Sequence, residues 1–414
     1  MSEFSDELRR LMAERGVGVR ELARQVPCNP GYVSNLRNGR KKASRQVAAR
    51  LDLVLDAGGK LVALASAAEA RTGRASELGQ IDKWAAQAVE FGRWTEASNV
   101  GTGTIDQLDE EIHRLARESV DSALEPLLHR AGGVSRSVFR LLRQHQRLWQ
   151  TRDLYVIGAK SSAFLACVCG DLGQQSAAAA HARTALILAQ ESGHPGALAL
   201  ALSALSKVAF WDRQLSRASD LARRGYECCP PNSTRVLLAC QEADAADVSA
   251  ARESISRAVY AEDEIAADDD LGGLFSCTRT RRAAYTITLH LRSGEPEQAL
   301  RAAAEADVAY CPGDGTSYGT WGQVQISAAL AHLTRGDADA ARERLSPVLA
   351  LPAGMRLATF NGKLEQTIAL LAGPLLRGSS SARDLAEQVG GYLQQRHADG
   401  LPYPVGLSVG SLPR

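Results

Sequence analysis

Apolar residues recur every three or four positions through the first 66 residues. Residues 4–12, 22–26, 33–36 and 47–55 each show this spacing, and a last apolar turn follows at 61–65. A helical period broken by Gly, Pro and Asn predicts a series of short amphipathic helices joined by tight turns. The N-terminal segment is therefore expected to be a compact all-α domain over residues 1–66.

The break between the second and third predicted helices carries specific punctuation. Asn29 suits an N-cap and Pro30 the first helical position. Ala23 is small enough to let the third helix cross closely over the second. Residues 19–37 thus predict a helix-turn-helix, whose second helix enters the major groove of DNA.

The fragments ELARQV and YVSNLRNGR, with the apolar helix after them, resemble the phage-repressor-like helix-turn-helix regulators of the XRE family. The resemblance spans roughly one sixth of the chain. That family usually has Gly in the turn, whereas this chain has Pro27, followed by Pro30. Because proline holds φ near −65°, the turn must take another path, and the docking angle of the second helix stays open.

The resemblance implies DNA contacts position by position. Contacts to base edges are expected from Asn29, Gly31, Tyr32, Ser34 and Asn35. Phosphate contacts are expected from Arg20, Arg37, Arg40, Lys41 and Lys42. Asn38, beside Arg37, is also expected at the DNA interface. The alternative for the basic run is a solvated surface loop with no ligand.

Beyond residues 67–80, which are polar and predicted to be a linker, an apolar helix followed by an alanine-rich helix recurs. The repeats lie at 163–189, 199–225, 236–261, 283–309 and 327–349. Such self-similarity predicts an α-solenoid over residues 81–376. LRSGEPEQALRAAAEA and LTRGDADAARERLSPVL resemble tetratricopeptide repeats, although most aromatic consensus positions are missing. Residues 377–414 are expected to form a capping helix at 382–395 and a mobile tail.

The order of the two predicted domains, with FGRWTEASNVG, QTRDLYVIGAK and YGTWGQVQISAAL, resembles actinobacterial XRE–tetratricopeptide regulators. More distantly it is similar to peptide-sensing quorum regulators. The resemblance implies a homodimer, formed through the helical-repeat body, on a double-stranded DNA operator. It does not supply the ligand: a peptide or small-molecule effector is one alternative for the body, and no effector is the other. If the first helix of each pair is the inner one, the ligand-facing residues are Lys160, Ser203, Lys207, Arg281, Thr288 and Gln323. Three are cationic, which favours an anionic ligand; solvated groove residues without a ligand are the alternative.

Charge is distributed unevenly along the chain. Residues 1–66 carry twelve Lys/Arg and seven Asp/Glu, a net of +5, which leaves −4 for the rest because the whole chain carries +1. A basic head on a mildly acidic body is typical of a modular DNA-binding protein. Eight cysteines are too few for a disulfide framework, the start is no signal peptide, and no apolar run suggests a membrane span. The expected location is the cytoplasm.

The sequence contains no HExxH, GxSxG, Walker or GxGxxG motif, and the acidic run 262–270 lacks the register of a calcium loop. No catalytic residue, metal or cofactor is therefore predicted, and the acidic run is expected to be a solvated loop. The leading hypothesis is a transcriptional regulator. The alternative is a protein–protein interaction scaffold whose DNA-binding head is weak or vestigial.

Overall fold

The computed structural model describes residues 3–310 and 315–398, and within them regular structure is entirely helical. The all-α fold class predicted from the sequence is confirmed. The chain divides into two compact units between Glu96 and Ala97. The predicted tail beyond residue 398 lies outside the described residues.

The first unit consists of five helices. They are α1 (Glu3–Glu14), α2 (Val19–Gln25), α3 (Pro30–Arg37), α4 (Arg45–Val54) and α5 (Lys60–Glu96). Their apolar faces meet in one core, whose most fully buried members are Leu8, Leu22, Val33, Leu36, Leu51, Leu55 and Leu61. Each predicted periodic segment supplies residues to that core, which is why so short a sequence folds around it.

Side-chain caps fix where these helices begin. The Asn29 side chain accepts the Gly31 amide at 2.7 Å, and Ser44 Oγ accepts the Val47 amide at 3.4 Å. The buried Asp52 carboxylate on α4 accepts the backbone N–H groups of Gly59, Leu61 and Val62 at 2.6, 2.7 and 3.2 Å. A charged cap at an N-terminus satisfies donors that the helix itself cannot pair. Asp52 thereby attaches α5 to the core of the unit.

Residues 67–80, expected to be a polar linker, are helical and belong to α5. The stretch has no apolar period, which is why it was predicted to be irregular. It contains, however, four Ala, two Glu and two Arg and no proline. These residues have high helix propensity, so a helix that starts at a strong cap continues through them. The division between the units accordingly lies at 96/97 rather than at 66–81.

The second unit is a series of antiparallel helix pairs. Its helices are α6 (Thr102–Glu118), α7 (Leu124–Leu142), α8 (Leu148–Asp171), α9 (Gln175–Ser192), α10 (Pro195–Trp211), α11 (Leu215–Cys228), α12 (Ser233–Ala245), α13 (Val248–Asp263), α14 (Arg279–Arg292), α15 (Pro296–Ala309), α16 (Tyr318–Thr334), α17 (Ala338–Leu349), α18 (Asn361–Leu371) and α19 (Ser380–Ala398). The five predicted repeats correspond to the pairs from α8/α9 to α16/α17. The pairs α6/α7 and α18/α19 flank them.

Small residues let the two helices of a pair approach closely. Ala178, Ala182 and Ala185 on α9 are fully buried against α8. The first helices of successive pairs, α8 to α18, pack against one another in order and form a continuous layer. The second unit is thus a helical-repeat body, as the sequence predicted.

The two ends of this repeat series also touch. A 3-10 helix at Gly273–Phe275 packs on α6, another at Ala358–Phe360 packs on α8, and the Tyr318 amide donates to the Val120 carbonyl at 2.9 Å. Gly273 has φ +57°, and a Cβ there would lie 1.9 Å from the Ala116 carbonyl oxygen. Only glycine permits that approach. The solenoid therefore curls until late repeats contact the first pair.

The acidic run 262–270 differs from the solvated loop that was expected. Asp269 accepts the Ser233 amide at 2.9 Å and the hydroxyls of Ser233 and Ser276 at 2.6 Å each. Glu262 accepts from Arg282 at 2.8 Å. The loop carboxylates bind serine and arginine donors of neighbouring elements, which sequence spacing did not reveal.

Helix α8 is long and apolar enough to cross a membrane by length and composition alone. In the structure 83% of its most apolar 18-residue window is buried inside the second unit. Many of its residues belong to that unit's hydrophobic core, which explains its apolar composition.

Candidate nucleic-acid interface

The helix-turn-helix faces lie as predicted. Leu22 and Ala23 of α2 and Val33 and Leu36 of α3 are at most 3% exposed. Their burial fixes the rotation of α3, so its remaining faces are the ones that a ligand can reach.

The turn between α2 and α3 takes the different path that Pro27 demands. Val26 has φ −108° and Asn29 φ −65°. The Cys28 amide donates to the Ala23 carbonyl at 3.1 Å and closes the end of α2. Among the described residues of the first unit, positive φ occurs at Gly16, Gly39, Asp56, Gly58 and Gly59, outside this turn. The chain thus turns without the left-handed residue that glycine supplies.

The N-terminus of α3 is exposed but partly committed to its own structure. Asn29 Oδ1 holds the Gly31 amide, so only its NH₂ group remains for a base. A Cβ at Gly31 would lie 3.1 Å from that same oxygen. Because Gly31 has no side chain, it leaves room for the Asn29 cap and leaves the backbone accessible to a DNA groove.

Tyr32, Ser34 and Asn35 on α3 are half-buried rather than packed inside. The Tyr32 ring packs against the core, its hydroxyl donates to the Lys42 carbonyl at 3.4 Å, and Lys41 Nζ lies 5.7 Å from the ring centre. Tyr32 therefore supports the loop that follows α3.

That loop folds back on the C-terminus of α3. The Asn35 carbonyl accepts the amides of Arg40 and Lys41 at 2.8 and 3.3 Å, and the Asn38 amide donates to the Ser34 carbonyl at 3.0 Å. Gly39 has φ +70°, a conformation that favours glycine. The tight turn presents the side chains of Arg40, Lys41 and Lys42 to solvent.

The electrostatic asymmetry is stronger than the net charge suggests. Residues 22–51 contain no acidic residue and seven cations: Arg24, Arg37, Arg40, Lys41, Lys42, Arg45 and Arg50. Five carboxylates of the first unit lie outside this acid-free run and are ion-paired. Asp6, Glu7, Glu14, Glu21 and Asp56 form ion pairs with arginines of α1, α2 and the turn between them. The surface of α3, the loop and α4 is left with a positive potential, as an anionic duplex requires.

Arg45 and Arg50 of α4 were not among the predicted contacts. Both are exposed, and Arg45 follows the cationic loop directly as the first residue of α4. The acid-free run is the sequence signal that could have indicated them. Arg20, at the start of α2, is exposed as expected.

The predicted ligand-facing residues of the second unit all have intramolecular partners. Lys160 Nζ lies 2.9 Å from Asp109 Oδ1 and 3.0 Å from His113 Nε2. Burial, followed by the Lys160 charge, lowers the pKa of His113. Lys207 Nζ lies 3.7 Å from Asp171 and 5.1 Å from the centre of the Trp211 ring.

The other four also bond within the unit. Ser203 donates to the Gln241 side chain at 3.0 Å, and Arg281 donates to the carbonyls of Leu274 and Ser276 at 2.8 and 2.7 Å. Gln323 Nε2 donates to the Thr359 carbonyl at 3.0 Å. Thr288 Oγ1 donates to the Ala284 carbonyl at 3.0 Å. The six residues are spread over α8, α10, α14 and α16 of the layer of first helices, so the structure does not gather them at one point.

A half-buried lysine that the sequence did not single out joins three helices of the second unit. Lys363 Nζ on α18 donates to Thr288 Oγ1 on α14 at 3.2 Å and to Ser327 Oγ on α16 at 2.8 Å. Burial lowers its pKa to about 8, against the opposing effect of the Asp244 carboxylate on α12. Nothing in the local sequence marks this position, because its partners are 36 and 75 residues away.

Within residues 3–310 and 315–398, no group of three or more His, Cys, Asp or Glu side chains is placed to hold a metal ion. Burial raises the pKa of the Cys167 and Cys169 thiols, the latter to about 11. These cysteines are accordingly poor nucleophiles at neutral pH.

Comparison with known families bears on the first unit. Residues 3–65 match the family model described as a helix-turn-helix domain. No curated protein matches the chain. The first unit therefore contains a helix-turn-helix domain of the kind that binds DNA, followed in the chain by a helical-repeat body.

Proposed function

We propose that the protein is a sequence-specific, DNA-binding transcriptional regulator that acts in the cytoplasm. The observation that carries the proposal is the coincidence of a helix-turn-helix domain with thirty acid-free residues, 22–51, whose exposed cations surround α3. Such a surface neutralises phosphates while α3 reads base edges in the major groove.

The roles divide by chemistry. Arg20, Arg37, Arg40, Lys41 and Lys42 bind phosphates and fix the register of the domain on the duplex. Ser34 and Asn35, with the free NH₂ of Asn29 and the bare backbone at Gly31, meet base edges. Asn38 contributes through the turn that holds the loop. A single small domain of this kind gains useful specificity by binding as a homodimer to two half-sites about 34 Å apart.

The helical-repeat body is proposed to bind an effector, a peptide or small molecule with an anionic group. Lys160, Lys207 and Arg281, on the first helices of their pairs, would each have to exchange a present partner for the effector. Gln241 supports the effector proposal: it is 5% exposed, and its Nε2 has no hydrogen-bond partner among the described residues. An effector acts on DNA binding only if its affinity differs between the DNA-competent and incompetent arrangements.

Selection of bound duplexes from a random pool with the full-length protein tests the proposal. We expect an enriched site with two-fold symmetry, and retention that weakens steeply as salt rises. A variant with Arg40, Lys41 and Lys42 changed to Gln should lose retention. A variant with the exposed Arg183, Arg213 and Arg224 of the second unit changed to Gln should keep it. Failure of the wild-type protein to retain any duplex at low salt would favour the interaction scaffold instead.

A further inference from the structure

The far half of α5 is a solvent-exposed helix with large apolar side chains. Every residue from 83 to 96 is exposed in the single chain. Trp84 is 60% exposed, Phe91 66% and Trp94 56%, and the Phe91 and Trp94 rings stack 5.5 Å apart. Most soluble proteins do not leave several aromatic side chains this open on one short segment, and such patches mark interaction sites.

These side chains share one face. With 100° between successive residues of an α-helix, Trp84, Ala88, Phe91 and Thr95 follow the spacing of four, three and four that repeats along a coiled-coil seam. Trp94 borders this seam. Lys83, Glu90, Arg93 and Glu96 fall on the remaining surface. An apolar stripe backed by charged residues is the pattern of a helix that packs against a partner helix.

The low stability of an unsupported helix in water also favours a partner for this segment. Helical stability in proteins comes mainly from packing of an amphipathic face, and unsupported helices of about 15 residues are marginal in water. Every residue of segment 83–96 is exposed, so no face of this part of α5 is buried. A partner that covers the stripe would supply that packing.

We propose that this stripe is a homodimer interface, in which α5 of one chain pairs in parallel with α5 of a second copy. The sequence expectation placed dimerisation on the helical-repeat body; the exposed stripe assigns it to α5. The charges of segment 83–96 nearly cancel, with two basic and two acidic residues. Like copies therefore meet without net repulsion, and the apolar stripe is complementary to itself.

The exposed aromatic surface sets the scale of the interaction. An aromatic side chain offers about 150–250 Å², so three that are 56–66% exposed present roughly 350 Å² per chain. With the flanking residues, a pair of helices would bury on the order of 1,000 Å² in total, near the lower limit for specific association. We expect dimers that form at micromolar concentration.

The parallel direction of the two α5 helices rests on the proposed DNA-binding function, whereas their pairing does not. The stripe lies about 42 Å along α5 from Lys60, at 1.5 Å per residue. An antiparallel pair would hold the two heads about 80 Å apart at opposite ends. A parallel pair brings both heads to one end, where they can occupy adjacent half-sites of one duplex.

Sedimentation velocity across a concentration series tests the pairing in the full-length protein without DNA. The variant Trp84→Glu/Phe91→Glu should raise the dimer dissociation constant at least 100-fold. The rest of the fold should be unchanged, because both positions are exposed, and helicity should fall by no more than the contribution of segment 83–96. The matched control is Ile187→Glu/Val308→Glu, two exposed apolar residues of the second unit, 59% and 89% exposed. It should dimerise like the wild type. A wild-type monomer at 100 μM, or equal loss in the control, would overturn the proposal.

Disulfide formation tests the direction. Thr95 lies at the far end of the stripe, so Thr95→Cys should cross-link two chains under mild oxidation only in a parallel pair. Arg93→Cys, on the opposite face, and the wild-type protein with its native cysteines should not cross-link. A dimer without Thr95→Cys cross-linking would reject the parallel arrangement.

Retention of a single half-site duplex is measured separately, for the wild type and for the Trp84→Glu/Phe91→Glu variant. If the wild type does not retain that duplex, the DNA-binding proposal is rejected, whereas the dimer proposal stands.

Discussion

The Asp52 carboxylate should contribute more to the stability of the first unit than any other acidic side chain in it. Asp52 is 7% exposed and accepts three backbone amides at the start of α5, those of Gly59, Leu61 and Val62. Asp52→Ala would leave those donors without their acceptor, and the Leu61 amide is buried with its residue. Loss of an N-cap costs about 0.5–2 kcal/mol, and an unsatisfied buried donor about 1–3 kcal/mol. We therefore expect Asp52→Ala to destabilise the first unit by about 2–4 kcal/mol.

Hydrogen exchange followed by mass spectrometry on the full-length protein measures this loss of stability separately for each unit. Peptides from α4 and the first turns of α5 should exchange about 30- to 800-fold faster, at 1.4 kcal/mol per tenfold change. Peptides from the second unit should exchange at the wild-type rate. Asp52→Asn, which keeps one acceptor oxygen and loses the charge, should lie between the wild type and Asp52→Ala.

Asp56→Asn is the matched control for the Asp52 prediction. It removes the same charge four residues later, where the carboxylate is exposed and pairs only with Arg15 at 2.9 Å. Asparagine tolerates the φ of +44° found at this position. An exposed ion pair contributes little, so exchange should change less than threefold. If Asp52→Ala and Asp56→Asn accelerated exchange equally, the capping argument would be wrong.

Three further predictions test the interface and the body. Lys41→Gln should weaken binding to all duplexes alike and lower the slope of log affinity against log salt by about one unit, measured by fluorescence anisotropy; a change confined to one sequence would contradict a phosphate role. Asn35→Ala should cost about 1–3 kcal/mol on the selected operator and relax preference at one base pair, seen by repeating the selection; a uniform loss on every sequence would argue against base reading. Because burial lowers the pKa of Lys363 to about 8, below the roughly 10.4 of an unfolded chain, stability should rise with pH between these values. The free energy of unfolding of wild type minus that of Lys363→Met should grow by about 1–3 kcal/mol from pH 7.5 to 9.5, and a flat difference would show that the ammonium is hydrated.

The features predicted correctly from the sequence depend on local physics. The cap at Asn29 and the buried face of Val33 and Leu36 follow from residues within one or two helical turns. The repeat hairpins are also local, since each alanine-rich helix packs against the helix just before it. A helical period and a turn signal are enough to identify such units.

The features that escaped prediction depend on contacts between distant residues. Lys363 meets Thr288 across 75 positions, and the Tyr318 amide meets Val120 at the opposite end of the repeat series. Asp269 binds Ser233 from 36 residues away. No spacing rule in the sequence brings such pairs together, because the curvature of the solenoid does so.

Residues 67–80 illustrate a different kind of error, with a consequence for mechanism. The lack of an apolar period predicts a linker here, but helix propensity and the Asp52 cap extend α5 to Glu96. A flexible segment would let a dimer occupy half-sites over a range of separations. A continuous helix whose first turn is anchored in the core through Leu61 and Ala65 instead ties the orientation of each head to the pairing of the two α5 stripes. If two α5 stripes pair as proposed, the operator spacing would be set at Trp84 and Phe91, away from the residues proposed to contact DNA. An effector that changed how two α5 helices pair would then change which operator is bound.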